Sequence, residues 1–191
     1  MIDFLQWGAA FGLQARSARA PDLKAGSLRL VAITTEMLAA EHDSDAGGLA
    51  RLLRAKLTQE WPPADWEPYV YRIIEKQYDE WPDSFGWHRY VVLDGGLGRP
   101  KTLVGAIGGF PRARGDVEIG YSTLPAFQRR GYATASAQKL VEWLLTLDGV
   151  QSVSAQAYLR VPESIKVMER CGMSFVGEGD ELGTVKYRRV R

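Results

Sequence analysis

Val117-Glu118-Ile119-Gly120-Tyr121-Ser122-Thr123-Leu124-Pro125, followed after Ala126 and Phe127 by Gln128-Arg129-Arg130-Gly131-Tyr132-Ala133-Thr134, is the stretch that decides the fold. Val117 to Ser122 reads as a strand, and Thr123 to Phe127 as a short connection. The second run enters Ala137, Leu140, Val141, Leu144 and Leu145, an apolar stripe at helical spacing. Strand, short connection and helix in that order leave the first helical N–H groups without internal acceptors, at the positive end of the helix dipole. Gly131 lets backbone approach closely, Ala133 keeps the first turn small, and Arg129 and Arg130 can add charge-assisted contacts. The loop therefore reads as a cradle for a phosphate or pyrophosphate.

Upstream of this unit, Tyr90-Val91-Val92-Leu93 and Thr102 to Phe110 are strand candidates, and the glycine-rich turns at 94–98 and 112–116 join them to the Val117 strand. Connections this short make an antiparallel meander, because a parallel crossover needs a dozen residues or more. Downstream, Asp148-Gly149 stops the helix, and the strand Val150 to Tyr158 returns as a parallel neighbour of the Val117 strand. Pro162 opens a helix through Arg170 with Gly172 at its end, and Met173 to Val176 and Thr184 to Val190 close the chain as strands.

Earlier still, Leu28 to Ile33 reads as a first strand, and Thr34 or Thr35 caps a helix. A second helix from Ala46 to Leu57 is expected to end at Trp61-Pro62-Pro63, and a third spans Tyr69 to Tyr78. The fold class is α/β in the α+β sense: a mixed central sheet with an antiparallel N-terminal meander, central parallel strands and flanking helices. The expected organisation is a leader over residues 1–27 and one domain over residues 28–191.

Twenty-four basic and twenty-three acidic residues give a net charge of +1, which argues against nucleic acid as a partner. The apolar stretch Phe4 to Leu13 lacks a basic flank, and no run spans a bilayer, so the reading is cytoplasmic with no membrane partner. Cys171 is the only cysteine and reads as core packing, and His42 and His88 have no ligand spacing, so no metal site is expected.

There is no Gly-x-x-x-x-Gly-Lys-Ser/Thr run and no Gly-x-Gly-x-x-Gly opening a helix, which disfavours nucleoside triphosphatases and dinucleotide enzymes. Val117 to Thr134 instead closely resembles the acetyl-CoA signature of the GNAT superfamily of N-acetyltransferases, whose pattern is Gln/Arg-x-x-Gly-x-Gly/Ala. Pro162 to Met173 looks like the penultimate helix of that family. The resemblance is specific from Leu103 to Val176, and leans toward the branch that includes ribosomal-protein alanine N-acetyltransferases. It implies acetyl-CoA as cosubstrate and a primary amine, either a small molecule or a protein N-terminus, as acceptor, and it allows a homodimer. It implies that Ser122, Thr123 and Leu124 bond the pantetheine arm, that Gln128, Arg129, Arg130, Gly131, Tyr132, Ala133 and Thr134 hold the pyrophosphate, and that Ser164 lies near the cofactor arm.

Two positions depart from the family's pattern. Val161 stands where many members have asparagine, and Met168 stands where many have the tyrosine that protonates the leaving thiolate. Tyr158 or Tyr121 can substitute for that acid, or the thiolate leaves without a dedicated one. An alkylamine with a pKa of about 10.4 is mostly protonated at neutral pH, so a base or a water relay is needed. Glu118, facing away from Val117, Ile119 and Tyr121, is the first candidate. A strand N–H near Ser122 to Leu124 would meet the developing oxyanion. Trp61, Trp66, Trp81 and Trp87, with Tyr69, Tyr71 and Phe85, either pack the helices or wall the acceptor site. A non-catalytic acyl-CoA-binding module and a nucleotide-binding loop are the alternatives.

Overall fold

Eight strands of the computed structural model form one sheet in the order β1-β2-β3-β4-β5-β6-β8-β7. The structure describes residues 20–63 and 68–191; Trp66 and most of the expected leader lie outside them. The strands are β1 (Leu23–Ala25), β2 (Leu28–Ala32), β3 (Arg89–Leu93), β4 (Thr102–Pro111), β5 (Asp116–Thr123), β6 (Ser152–Tyr158), β7 (Ser174–Glu178) and β8 (Thr184–Val190). Neighbours from β2 to β5 pair antiparallel, with α1 to α3 inserted between β2 and β3 and short connections from β3 to β5, and among the described strands β5 and β6 are the one parallel pair. One strand went unread: β1 turns through Gly26, at φ 60°, and pairs with β2, so the sheet begins before Leu28.

α1 (Thr35–His42) starts at Thr34, whose Oγ1 accepts from Met37 N at 3.3 Å, and α2 (Ala46–Leu53) starts at Asp45, whose carboxylate accepts from Gly48 N at 2.7 Å. α2 ends four residues before the expected Leu57. Arg54 turns left-handed at φ 52°, and the backbone of Lys56 is captured by the start of β4, with Lys56 N bonding Lys101 O and Leu103 N bonding Lys56 O, both at 2.8 Å. Pairing with the sheet, rather than the downstream prolines, stops this helix. α3 (Pro68–Glu80), α4 (Tyr132–Leu144) and α5 (Pro162–Arg170) fall close to their expected spans.

The sheet has a core on each face. On one, Ala137, Leu140, Val141 and Leu144 of α4 and Met168 of α5 pack with Val117, Ile119, Val153 and Ala155. On the other, Met37, Leu38, Leu49, Leu53 and Ile74 of α1–α3 pack with Tyr90, Val92, Leu103 and Ala106 of β3 and β4. Full burial of each such aliphatic side chain stabilises the fold by about 1.5–3 kcal/mol. Where that second face continues onto β5, β6 and β8, polar side chains replace apolar ones. This polar half-face and the two parallel strands beneath it set up the site.

Candidate active site

β5 and β6 are paired only over Asp116↔Ser152, Val117↔Val153 and Glu118↔Ser154, although both strands run on, to Thr123 and Tyr158. Beyond Glu118 the sheet therefore opens. Its closed end is latched by Asp116, whose two oxygens accept from Ser152 Oγ and Ser154 Oγ, each at 2.6 Å, with Arg188 Nε at 3.6 Å. Sequence reading passed over Asp116, because a polar residue at a strand start carries no distinguishing signal.

Peptide groups alternate sides along a strand. Leu124 N donates to Val104 O at 2.9 Å, and in the β4–β5 register Ser122 faces β4 in the same way, opposite Ala106. The peptide groups of Tyr121 and Thr123 consequently face the opening. Leu124 itself is withdrawn: its N–H is committed to β4, its C=O accepts from Phe127 N at 2.9 Å, and its side chain is fully buried. That corrects the expectation that Leu124 offers backbone to a ligand, and leaves Thr123 with Tyr121 in its place.

The mouth of the opening is the loop into α4. Gln128 Nε2 caps Thr123 O at 3.0 Å, Arg129 is left-handed at φ 61°, and Gly131 at φ 78° is an N-cap without a side-chain hydrogen bond. The first intrahelical bond runs from Ala135 N to Gly131 O at 2.9 Å, so the N–H groups of Gly131, Tyr132, Ala133 and Thr134 precede the helical ladder. Gln128, Arg129, Arg130 and Gly131 are exposed. Arg130 rests 5.7 Å above the Phe127 ring. Glu60, unmarked in the sequence, accepts from Ala126 N at 3.2 Å and ties the α2–α3 connection to this loop.

On the α4/α5 side, the Tyr121 hydroxyl lies 2.9 Å from Ser164 Oγ and donates toward Ser164 O at 3.1 Å. Burial pushes the Tyr121 phenol up to about 12, so it stays protonated across the neutral range. Ser164 thus lies beside Tyr121, next to the opening. Met168 is buried in the core and Val161 is exposed, and neither brings a polar group to the opening.

The opposite face changes two roles. Glu118 does face away from Val117 and Ile119, but its carboxylate is engaged by Arg112 at 2.9 Å, Lys186 at 3.1 Å and Gln156 Nε2 at 2.8 Å, with 13% of the side chain accessible. Burial pushes its carboxyl up, but the hydrogen bonds from Arg112, Gln156 and Lys186 outweigh burial and hold it below its ordinary value. A carboxylate so stabilised is a poor proton acceptor, so the expected role as base is withdrawn. Tyr158 projects onto this polar half-face, not toward α5; it donates to Glu181 and stacks under Arg160 at 4.3 Å. The hydrogen bond to Glu181 and the charge of that residue push its phenol up. It lies on the face away from Met168 and α5, so the expected role as acid at Tyr158 is withdrawn.

The aromatic cluster divides between the faces. Trp87 and Trp81 pack with α4, while Trp61, Tyr71 and Phe85 pack with α1–α3, and Tyr69 is exposed. Glu41, at the end of α1, accepts from Trp61 Nε1 at 3.0 Å, Tyr71 OH at 3.0 Å and Tyr90 OH at 2.9 Å. His88 is buried against Gln77 at 3.1 Å, and burial pushes its imidazole down to about 3, so it is neutral. Cys171 is buried at the end of α5, as its core reading required. Among the described residues, no group of three or more metal-ligating side chains comes together, and no helix is long and apolar enough to cross a membrane.

The site is thus a central sheet that parts between its two parallel strands beside a bare helix N-terminus. The model of the acetyltransferase (GNAT) domain matches residues 37–174, and the chain belongs to that family and is an acetyltransferase. It is 28% identical over 155 residues to the uncharacterized N-acetyltransferase YjdG of Bacillus subtilis, covering 78% of this chain and 88% of that one. Its fold is shared with RimL, a ribosomal L7/L12 α-N-protein acetyltransferase solved with coenzyme A, at a TM-score of 0.58 and 16% identity over 89% of this chain and 98% of the other. It is shared too with spermidine N-acetyltransferase of Vibrio cholerae, solved with coenzyme A and spermine, at a TM-score of 0.54 and 16% identity over 86% and 95% of the two chains.

Proposed function

We propose that this acetyltransferase moves the acetyl group of acetyl-CoA onto a primary amine, of a small molecule or a protein N-terminus, by direct attack in a ternary complex. The observation that carries the reading is the opening between β5 and β6, which leads from the peptide groups of Tyr121 and Thr123 that face away from β4 to the N-terminus of α4. The pyrophosphate is assigned to the N–H groups of Gly131 to Thr134, with Arg129 and Arg130 adding charge. The pantetheine arm lies along Tyr121 and Thr123, as an added strand would. Coenzyme A in the solved RimL and in the spermidine acetyltransferase supports this choice of cosubstrate. The reading treats β1 onward as one acetyltransferase domain.

The neutral amine attacks the thioester carbonyl from the polar half-face, forming the C–N bond while the Thr123 N–H meets the oxyanion. The C–S bond then breaks. The thiolate takes its proton from the Ser164 hydroxyl, which recovers one from Tyr121, itself reprotonated from solvent, so the α5 face supplies the acid that Met168 cannot. With Glu118 held by three donors, water carries off the amine proton.

Calorimetry with acetyl-CoA, together with thiol release over an amine panel, tests the reading. A β-carbon at Gly131 would meet nothing within 4 Å, so Gly131→Glu has room, yet sets a negative charge in the anion cradle. Its affinity for coenzyme A is expected to fall at least 100-fold, with Gly131→Ala as the control for left-handed strain of roughly 1–2 kcal/mol. Unchanged affinity in Gly131→Glu, or binding of ATP without coenzyme A, would refute the assignment.

A further inference from the structure

Gly120 stands within β5 where nothing in the backbone asks for glycine. Its φ lies outside the left-handed region, and a β-carbon there would meet only Phe110 Cε2, at 3.8 Å. Gly105 and Gly108 are different: their β-carbons would fall 2.2 Å from Ser122 O and 2.1 Å from His88 Nδ1, so packing explains them. Glycine inside a strand weakens it relative to alanine, and an unforced one marks a place where something else comes close to the backbone. Gly120 is exposed and lies two residues past Glu118, the last residue of β5 paired with β6. It shares a face with Glu118 and Ser122, so it sits at the vertex of the opening on the side away from α4 and α5. Beside it the half-buried Phe110 ring, set edge-to-face on His88 at 4.8 Å, makes an apolar floor.

We propose that Gly120 is a specificity-determining residue: the notch it leaves beside Phe110 admits the substituent on the α-carbon of the acceptor. The enzyme then acetylates α-branched primary amines, the class to which amino-acid and peptide N-termini belong. A glycine and an aromatic ring edge suit an apolar branch. The charged groups nearest along the face, Glu118, Arg112 and Lys186, already satisfy one another. The inference rests on the acetyl transfer proposed above and narrows its acceptor.

The test compares kcat/KM, by thiol release from acetyl-CoA, for an unbranched alkylamine and its α-methyl-branched counterpart. Gly120→Ala is expected to depress the branched amine relative to the unbranched one by about 10–200-fold, the discrimination a single methylene commands in an apolar pocket. The Kd for coenzyme A stays unchanged. Phe110→Ala, which enlarges the notch from its other wall, is expected to shift the ratio the opposite way and to restore the branched amine in the double variant. Equal losses on both amines, or no shift in either single variant, overturns the inference while leaving acetyl transfer standing. Turnover of neither amine by the wild-type enzyme overturns both.

Discussion

Replacing Asp116 by alanine would strip the closed end of the sheet opening of its latch. The carboxylate is 7% accessible and accepts two hydroxyl hydrogen bonds at 2.6 Å, from Ser152 and Ser154, which are themselves 8% and 0% exposed. Each hydrogen bond to a charged group is worth about 1.5–3 kcal/mol, and a buried donor left unsatisfied costs about 1–3 kcal/mol. Arg188, 40% accessible at the side chain and 3.6 Å away, adds little, because solvent screens it. The two hydroxyls can rotate toward other acceptors, so the expected loss is about 3–5 kcal/mol, a large share of the roughly 5–15 kcal/mol that holds a domain together. At about 2–4 °C per kcal/mol for a chain of this size, Tm should fall by about 6–20 °C. Asp116→Asn keeps the shape and one carbonyl acceptor and is expected to lose about half as much. Urea unfolding followed by tryptophan fluorescence, with a common m-value across variants, measures both. A loss below about 1 kcal/mol in Asp116→Ala, or equal losses in the two variants, would refute the claim that this carboxylate pins β5 to β6.

Two further outcomes follow from Glu41 and Tyr121. Burial raises the Glu41 carboxyl above its ordinary value, against the hydrogen bonds from Tyr90, Tyr71 and Trp61 that lower it. A carboxyl whose folded pKa is raised is stabilising when protonated and loses that contribution as pH rises through the folded value. Glu41→Gln should therefore be neutral or stabilising at pH 7, and the wild type should regain ground on it as pH falls toward the unfolded pKa; thermal melts of the pair between pH 4 and pH 8 check the sign. Tyr121→Phe should lower kcat at least several-fold, through loss of the proton returned to Ser164, while leaving KM for the amine unchanged; a rise in KM with constant kcat would assign the hydroxyl to substrate binding instead.

The order of elements was legible because its signals are local and strong. The helix stripe after Thr134, the glycine-rich turns and the proline at the start of α5 each act within a few residues, and the parallel pair follows from a helix lying between two strands. The end of α2 was not legible, since it depends on Lys56 meeting Lys101 and Leu103, residues distant in sequence. The start of α4 at Gly131 was legible for the same local reasons. The roles of Glu118 and Tyr158 were not, because strand alternation gives the face on which a side chain lies and nothing about what meets it there. Arg112 comes from the preceding turn, Lys186 from β8 and Glu181 from the β7–β8 turn, and only the assembled sheet brings them together. Leu124 failed for a related reason: its register against Val104 decides which way its peptide points.

The parting of β5 from β6 also bears on solubility. An unpaired strand edge normally invites a strand from another molecule, and proteins blunt it with charge, bulges or cover. Here the exposed peptide groups of Tyr121 and Thr123 look inward, toward a neighbouring strand of the same sheet, in a wedge closed at one end by Asp116. A folded chain carries side chains on both faces of its backbone and is too wide to slide into such a wedge. A thin, linear group with amides spaced along it is not. On the function proposed above, the protein can thus keep a ladder permanently incomplete for a cosubstrate without offering that ladder to other copies of itself.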